Sequence, residues 1–122
     1  MKNLIVASTS TLYGCSYLDY LDEALKELFK DASEILFIPY ARPGGISHDA
    51  YTQIAAKAFK NIGKELRSIH TVKNPAHAIE DATGIFTGGG NTFLLVQQLY
   101  TQEILATMRQ VILDGTPYLG TS

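Results

Sequence analysis

The sequence is poor in several features that would define its setting or its partners. It has one cysteine, Cys15, which excludes an internal disulfide and favours a reducing, intracellular environment. Ten basic and twelve acidic residues give a net charge of -2, a balance that indicates neither nucleic acid nor an anionic membrane as a partner. The apolar run at residues 3–7 is too short for a signal-peptide core, and no run approaches membrane-spanning length. We therefore expect a soluble, cytoplasmic protein.

Motifs for metals and nucleotide cofactors are also missing. No spacing of His, Cys, Asp and Glu suggests a zinc site. The glycine-rich segment at residues 88–90 lacks the Gly-Lys-Ser/Thr ending of a P-loop and the G-x-G-x-x-G pattern of a dinucleotide site. No repeat, low-complexity tract or charge block marks a linker. From these motifs we expect no zinc site and no nucleotide cofactor.

What the sequence does contain is the composition of one globular domain, which we assign to residues 1–122. Its apolar fraction is 46% and its charged fraction 18%, an ordinary balance for a folded chain and not for a disordered one. At this length about two-thirds of the surface of the unfolded chain can be buried, which is enough for a core.

Short apolar runs alternate with segments of helical spacing five times. Strands are expected at residues 4–7 and 35–38, both buried, at 65–69 as a weaker edge strand, and at 85–86 and 118–119. Helices are expected from Ser16 to about residue 30, from Ser47 to Gly63, at 76–80 after Asn74-Pro75, from Phe93 through Leu99, and at 103–113 before Gly115. The alternation predicts an α/β fold, a doubly wound parallel sheet with helices on both faces.

In such folds ligands bind beyond the carboxyl ends of the strands. Four segments should meet there: residues 8–14, 41–47, 88–91 and 120–122. The glycines of residues 88–90 allow positive φ angles and close approach of bare backbone, and the helix that follows begins with unpaired N–H groups. This turn could hold a phosphate, a carboxylate or the oxyanion of an acyl-transfer intermediate. The glycines do not choose among these, and a tight turn without a ligand remains an alternative.

Gly120-x-Ser122 directly after a strand is the first half of a nucleophile elbow, which lifts a serine hydroxyl clear of the sheet. Taken alone, the triplet favours the ordinary interpretation, a chain end that happens to be serine. The neighbouring glycine turn strengthens the functional interpretation, because acyl transfer needs a nucleophile and an oxyanion hole about 3 Å from one reacting carbon.

These segments resemble peptidase E, the α-aspartyl dipeptidase family of serine peptidases. The resemblance covers essentially all 122 residues and rests above all on Gly88-Gly89-Gly90-Asn91-Thr92-Phe93-x-Leu95 and Tyr118-Leu119-Gly120-x-Ser122. Further matches are Ser10-Thr11-Leu12-x-Gly14, residues 37–41, Tyr51-Thr52, Ile69-His70-x-Val72 and Asn74-Pro75. The resemblance implies a flavodoxin-like fold similar to class I glutamine amidotransferases, and a hydrolase that uses no metal.

The resemblance also implies roles for individual residues. It implies that Ser122 is the nucleophile, that the N–H of Gly90 serves the oxyanion hole with Gly89 in the same turn, and that Asn91 lies beside the substrate. The implied reaction is hydrolysis of small peptides, dipeptides with an N-terminal aspartate, through an acyl-enzyme on Ser122. The oligomeric state stays open, a homo-oligomer included.

The catalytic histidine and acid of the family lie beyond the serine, and no residue of this chain matches either. The resemblance therefore implies the N-terminal part of a larger catalytic domain, inactive alone, whose complementary C-terminal chain or segment carries both groups. Without that segment, apolar surface near Tyr118 and Leu119 should be exposed.

Other residues invite functional interpretations that compete with ordinary ones. His48, His70 and His77 could be proposed as general bases, but the sequence favours surface or strand-end histidines. Cys15 is expected to be a small loop residue. Arg42 could meet a substrate carboxylate or be a solvated loop residue. Two other functions stay open: a cyanophycinase-like or other amidotransferase-like hydrolase, and a non-catalytic flavodoxin-like module that binds a small molecule at residues 88–91.

Overall fold

The apolar runs of the sequence form one parallel sheet. The structure is a computed structural model that describes residues 3–7 and 21–121. Its five strands are β1 (Leu4–Ala7), β2 (Ile35–Ile38), β3 (Leu66–Ser68), β4 (Ile85–Thr87) and β5 (Tyr118–Thr121). They lie in the order β1-β5-β4-β2-β3, and all four strand pairs are parallel. The predicted parallel sheet is confirmed, with β3 at an edge as expected.

Helices connect the strands where the spacing predicted them. They are α1 (Asp22–Leu28), α2 (His48–Lys60), α3 (Pro75–Asp81), α4 (Thr92–Thr101) and α5 (Leu105–Leu113). The predicted caps are present, since Ser47 accepts a hydrogen bond from the N–H of Ala50 at 3.0 Å and Asn74 accepts one from His77 at 3.1 Å. Ser16 lies outside the described residues. None of the described helices has the length and apolar character to cross a bilayer.

The start of the last helix differs from the prediction by two residues. We expected a helix from residue 103, but Glu103 has a φ of +58° and α5 begins at Leu105. The reason lies in the preceding helix: the N–H of Glu103 donates to Tyr100 O and the N–H of Ile104 donates to Leu99 O. These two bonds terminate α4 in a left-handed turn that usually contains glycine.

Helices pack on both faces of the sheet, as the doubly wound prediction requires. One core cluster packs α1 and α2 against the sheet and includes Phe29, Phe37, Phe59, Phe86 and Leu119. The other packs α3, α4 and α5 against the opposite face and includes Leu36, Ile38, Ile79, Ile85, Leu99 and Met108. Neighbouring strand residues divide between the two clusters because successive side chains of a strand point to opposite faces.

The prediction that β1 is a buried strand is wrong. Leu4 is 39% exposed and Val6 is 74% exposed, although both belong to an apolar run. The strand order explains this, because β1 lies at an edge and pairs only with β5 among the described strands. A continuous apolar run alone does not distinguish a central strand from such an edge strand.

The expectation of bare apolar surface at Tyr118 and Leu119 is also only partly right. Leu119 is fully buried in the cluster beneath α1 and α2, so it exposes nothing. Tyr118 is half-buried and faces the opposite side of the sheet, where it packs against the second cluster. Exposed apolar surface near Tyr118 includes Leu4 of β1 and Leu105 and Leu113 of α5.

Candidate functional site

The carboxyl ends of three neighbouring strands bring the predicted site segments together. Ile38, Thr87 and Gly120 lie side by side in β2, β4 and β5. Beyond these positions, the N–H of Asn91 donates to the carbonyl of Ala41 at 2.7 Å. The segments at residues 41–47, 88–91 and 120–121 therefore share one edge of the sheet. Ser122 and residues 8–14, which were predicted to join them, lie outside the described residues.

The glycine turn after β4 is held by specific hydrogen bonds. The N–H of Gly88 donates to Ile38 O at 3.1 Å, and the buried N–H of Gly89 donates to Oγ1 of Thr121 at 2.8 Å. Gly90 has a φ of +143°, a value that residues with a side chain rarely adopt. Asn91 then caps α4, because its side-chain oxygen accepts from the N–H of Leu94 at 3.1 Å. The turn is thus rigidly attached to β5 on one side and to α4 on the other.

Tyr51 is the residue that sequence reasoning missed at this turn. The sequence indicates Tyr51 only as part of the second helix and as one point of the resemblance, without a role, and its side chain is 2% exposed. The structure adds that its hydroxyl donates to the carbonyl of Gly89 at 2.8 Å. The residue type could have indicated such a contact, because a buried tyrosine hydroxyl needs a hydrogen-bond partner.

The absence of a side chain at Gly120 also has a local structural reason. A Cβ atom at this position would lie 3.1 Å from Cε2 of Tyr118, whose ring crosses the strand at that point. Burial raises the pKa of Tyr118, and the nearby Thr87 hydroxyl partly offsets that rise. Oγ1 of Thr87 is itself buried and makes no hydrogen bond of ordinary geometry within the described part of the chain.

A second polar cluster lies at the carboxyl ends of β2 and β3. The imidazole of His70 contacts Oδ1 of Asp49 through Nε2 at 2.7 Å, and its Nδ1 is hydrogen-bonded to Ser68. The order of these groups is that of a serine–histidine–aspartate triad, but Ser68 is only 2% exposed and no substrate could reach it. The three side chains instead connect the start of α2 to the end of β3.

The remaining candidate residues have structural explanations. Arg42 donates to the carbonyls of Ile46 at 2.9 Å and Gly45 at 3.2 Å, so its guanidinium closes its own loop. His77 is exposed and lies 3.4 Å from Asp81 on the same helix. Among residues 3–7 and 21–121, no group of three or more His, Cys, Asp or Glu side chains could hold a metal ion. Cys15 lies outside these ranges.

Comparison with known proteins gives consistent matches. Residues 4–122 match the family described as peptidase family S51. Peptidase E of Shewanella denitrificans is 40% identical over 98% of this chain and 51% of its own length. A Drosophila melanogaster protein named "probable alpha-aspartyl dipeptidase" is 38% identical over 99% of this chain and 50% of its own length.

The fold is also found among solved structures. A peptidase from an acI-B1 actinobacterium superimposes with a TM-score of 0.73 at 22% identity, over 98% of this chain and 53% of its own. The chain spans about half the length of the curated relatives that it matches.

His48 gives a prediction about the dependence of stability on pH. Burial lowers its pKa below the ordinary 6.5, neighbouring His70 and Arg42 lower it further, and Asp49 partly offsets them. The unfolded chain therefore binds a proton at His48 more readily than the folded chain, and stability should fall as the pH drops through about 6.5.

The measurement is urea unfolding of the parent and the His48→Gln variant between about pH 7.5 and about pH 5. The parent should lose stability relative to the variant as the pH falls, because glutamine cannot take up the proton. His77→Gln, at an exposed histidine of α3, is the matched control. An equal pH dependence of the parent and the His48→Gln variant would contradict the assignment.

Proposed function

The chain belongs to peptidase family S51, and on that premise we propose that it forms the nucleophile-bearing part of a serine dipeptidase that releases N-terminal aspartate. The observation that carries the proposal is the 2.8 Å hydrogen bond between the N–H of Gly89 and Oγ1 of Thr121. It ties the glycine turn to the residue directly before Ser122. The names of the matched relatives, peptidase E and alpha-aspartyl dipeptidase, support this substrate class over the alternatives.

In the proposed reaction Oγ of Ser122 attacks the carbonyl carbon of the aspartyl residue and passes its proton to a histidine base. The carbonyl oxygen becomes an oxyanion, which accepts a hydrogen bond from the N–H of Gly90. When the C–N bond breaks, the histidine gives the proton to the leaving amine and an ester remains on Ser122. Water, deprotonated by the same histidine, then hydrolyses the ester and restores the serine.

Asn91 is proposed to contact the substrate through one part of its side chain. Its backbone N–H donates to the carbonyl of Ala41, and its side-chain oxygen accepts from the N–H of Leu94 at the start of α4. The amide nitrogen is therefore the group that we propose donates to the bound dipeptide. Because Asn91 follows Gly90 directly, such a contact would lie next to the oxyanion.

We assign the catalytic base and acid to a complementary C-terminal chain or segment. The proposal has two supports: the chain spans about half the length of its relatives, and an apolar groove lies beside β5. The groove has a volume of about 400 Å³, and its lining is mainly apolar: Leu4, Leu99, Leu105, Met108, Ile112 and Tyr118. Apolar surface of this kind is suited to packing against the segment that follows the nucleophile.

The test of the proposed function is a substrate comparison with the complete protein. We expect hydrolysis of Asp-Leu to be much faster than hydrolysis of Leu-Leu, and Ser122→Ala to lower the rate on Asp-Leu by at least about a thousandfold. Ser33→Ala is the control, because Ser33 is exposed and remote from Ser122 in the sequence, and this variant should retain activity. Equal rates on the two dipeptides, or an active Ser122→Ala enzyme, would contradict the proposal.

A second experiment tests the complementary segment. Residues 1–122, expressed alone, should be inactive on Asp-Leu and prone to associate through the apolar groove. Co-expression with the C-terminal half of a family S51 relative should give a soluble complex that hydrolyses Asp-Leu. An active, monodisperse species of 13.4 kDa would refute this part of the proposal and require a base within the chain itself.

A further inference from the structure

We propose that Tyr51 is a positioning residue of the oxyanion hole, and that its hydroxyl sets the direction of the Gly90 N–H. The inference rests on the proposed function for its catalytic consequence, but its geometric part stands on the hydrogen bonds of the glycine turn. The apolar spacing of α2 gives Tyr51 no role of its own, and the resemblance at Tyr51-Thr52 assigns it none. Its role depends on a contact across 38 residues of chain.

One peptide group links the Tyr51 hydroxyl to the Gly90 N–H. The carbonyl of Gly89 and the N–H of Gly90 belong to the same peptide plane. This bond is trans, so the two groups point in opposite directions. Tyr51 donates to that carbonyl oxygen at 2.8 Å from within the core. The N–H of Gly90 must therefore point away from Tyr51 and from the cluster beneath α2.

Glycine makes such an anchor necessary. With glycine on both sides, the peptide between residues 89 and 90 can rotate at little steric cost, because neither residue carries a Cβ atom. Gly90 already has a φ of +143°, a value open to glycine and rarely to other residues. A hydrogen bond to one end of the peptide then selects a single orientation. A hydrogen bond made in the buried interior resists exchange with water and is costly to lose.

The preceding peptide is fixed by a second hydroxyl. The N–H of Gly89 donates to Oγ1 of Thr121 at 2.8 Å, and Thr121 is 8% exposed. Gly89 is thus held at its N–H by β5 and at its carbonyl by α2. Two buried hydroxyls from different elements orient consecutive peptides of one turn.

The position of the Tyr51 hydroxyl is itself fixed by packing. The ring is 2% exposed and meets Phe37 edge-on, with ring centroids 5.0 Å apart. A Cβ atom on Gly88 would lie 2.3 Å from the Tyr51 hydroxyl oxygen, so the first glycine of the turn makes room for the phenol. Gly88 and Gly90 therefore have different roles. The missing side chain of Gly88 leaves space for the Tyr51 hydroxyl, and Gly90 carries the N–H that donates to the oxyanion.

The test compares Tyr51→Phe with Tyr40→Phe in the complete enzyme. Both substitutions keep a buried ring and remove a hydroxyl, but Tyr40 makes no hydrogen bond to the turn. For Tyr51→Phe we expect kcat on Asp-Leu to fall by about tenfold to about a hundredfold while KM changes by less than about twofold. Tyr40→Phe should keep the kcat of the parent.

A second readout does not require activity. In the ¹⁵N-labelled protein, Tyr51→Phe should move the amide resonance of Gly90 and speed its hydrogen exchange, while the amide of Gly63 in the turn after α2 stays unchanged. An unchanged Gly90 amide would overturn the proposal, whatever the kinetics. So would a variant whose KM alone rises. If the parent does not cleave Asp-Leu, the proposed function fails while the amide measurement still decides the geometric inference.

A second substitution is available in case the first one prevents folding. If Tyr51→Phe does not fold, Gly88→Ala replaces it, because the new Cβ would displace the phenol hydroxyl from its place 2.3 Å away. The same change in the Gly90 amide would then be expected. A folded Gly88→Ala protein with a Gly90 amide like that of the parent would overturn the proposal.

Discussion

The candidate site depends on the way that one backbone turn without side chains is held between two strands and a helix. Three successive glycines cannot fix their own conformation, because they have the largest backbone freedom of any residues. The surrounding fold supplies what they lack: a carbonyl of β2 for the N–H of Gly88, a hydroxyl of β5 for the N–H of Gly89, and a hydroxyl of α2 for its carbonyl. Each of these groups reaches the turn only if the parallel sheet forms in its observed order.

The strand order is what connects this turn to the proposed nucleophile. Because β5 lies between β1 and β4, the residues that end β5 come beside the turn that follows β4. The two segments are separated by 32 residues in sequence, yet a direct hydrogen bond joins them. On the basis of membership of peptidase family S51, we propose a chemical interpretation of this arrangement, in which the serine after β5 is the nucleophile and the N–H of Gly90 in the neighbouring turn is a donor to the oxyanion. The same order leaves β1 at an edge and an apolar groove beside it, where we propose that the remaining part of the catalytic domain packs.

Much of the fold could be predicted because its signals are local. The apolar runs at residues 35–38 and 85–86, the caps Ser47 and Asn74, and the glycine after α2 each act within one turn of the chain. What could not be predicted depends on distant partners. The exposure of Val6 follows from the strand order, and the roles of Tyr51 and His70 follow from contacts between elements far apart in sequence. The predicted roles of Ser122, Gly89, Gly90 and Asn91 came from resemblance, and these remain predictions.

The proposed chemistry requires Ser122 to be the nucleophile of the complete peptidase. Its most direct test is covalent capture: the complete protein is treated with a fluorophosphonate reagent, digested, and mapped by mass spectrometry. We predict one adduct, on the peptide that contains Ser122, and a competing excess of Asp-Leu should slow its formation. An enzyme that hydrolyses Asp-Leu but carries the adduct on another residue would contradict the role proposed for Ser122.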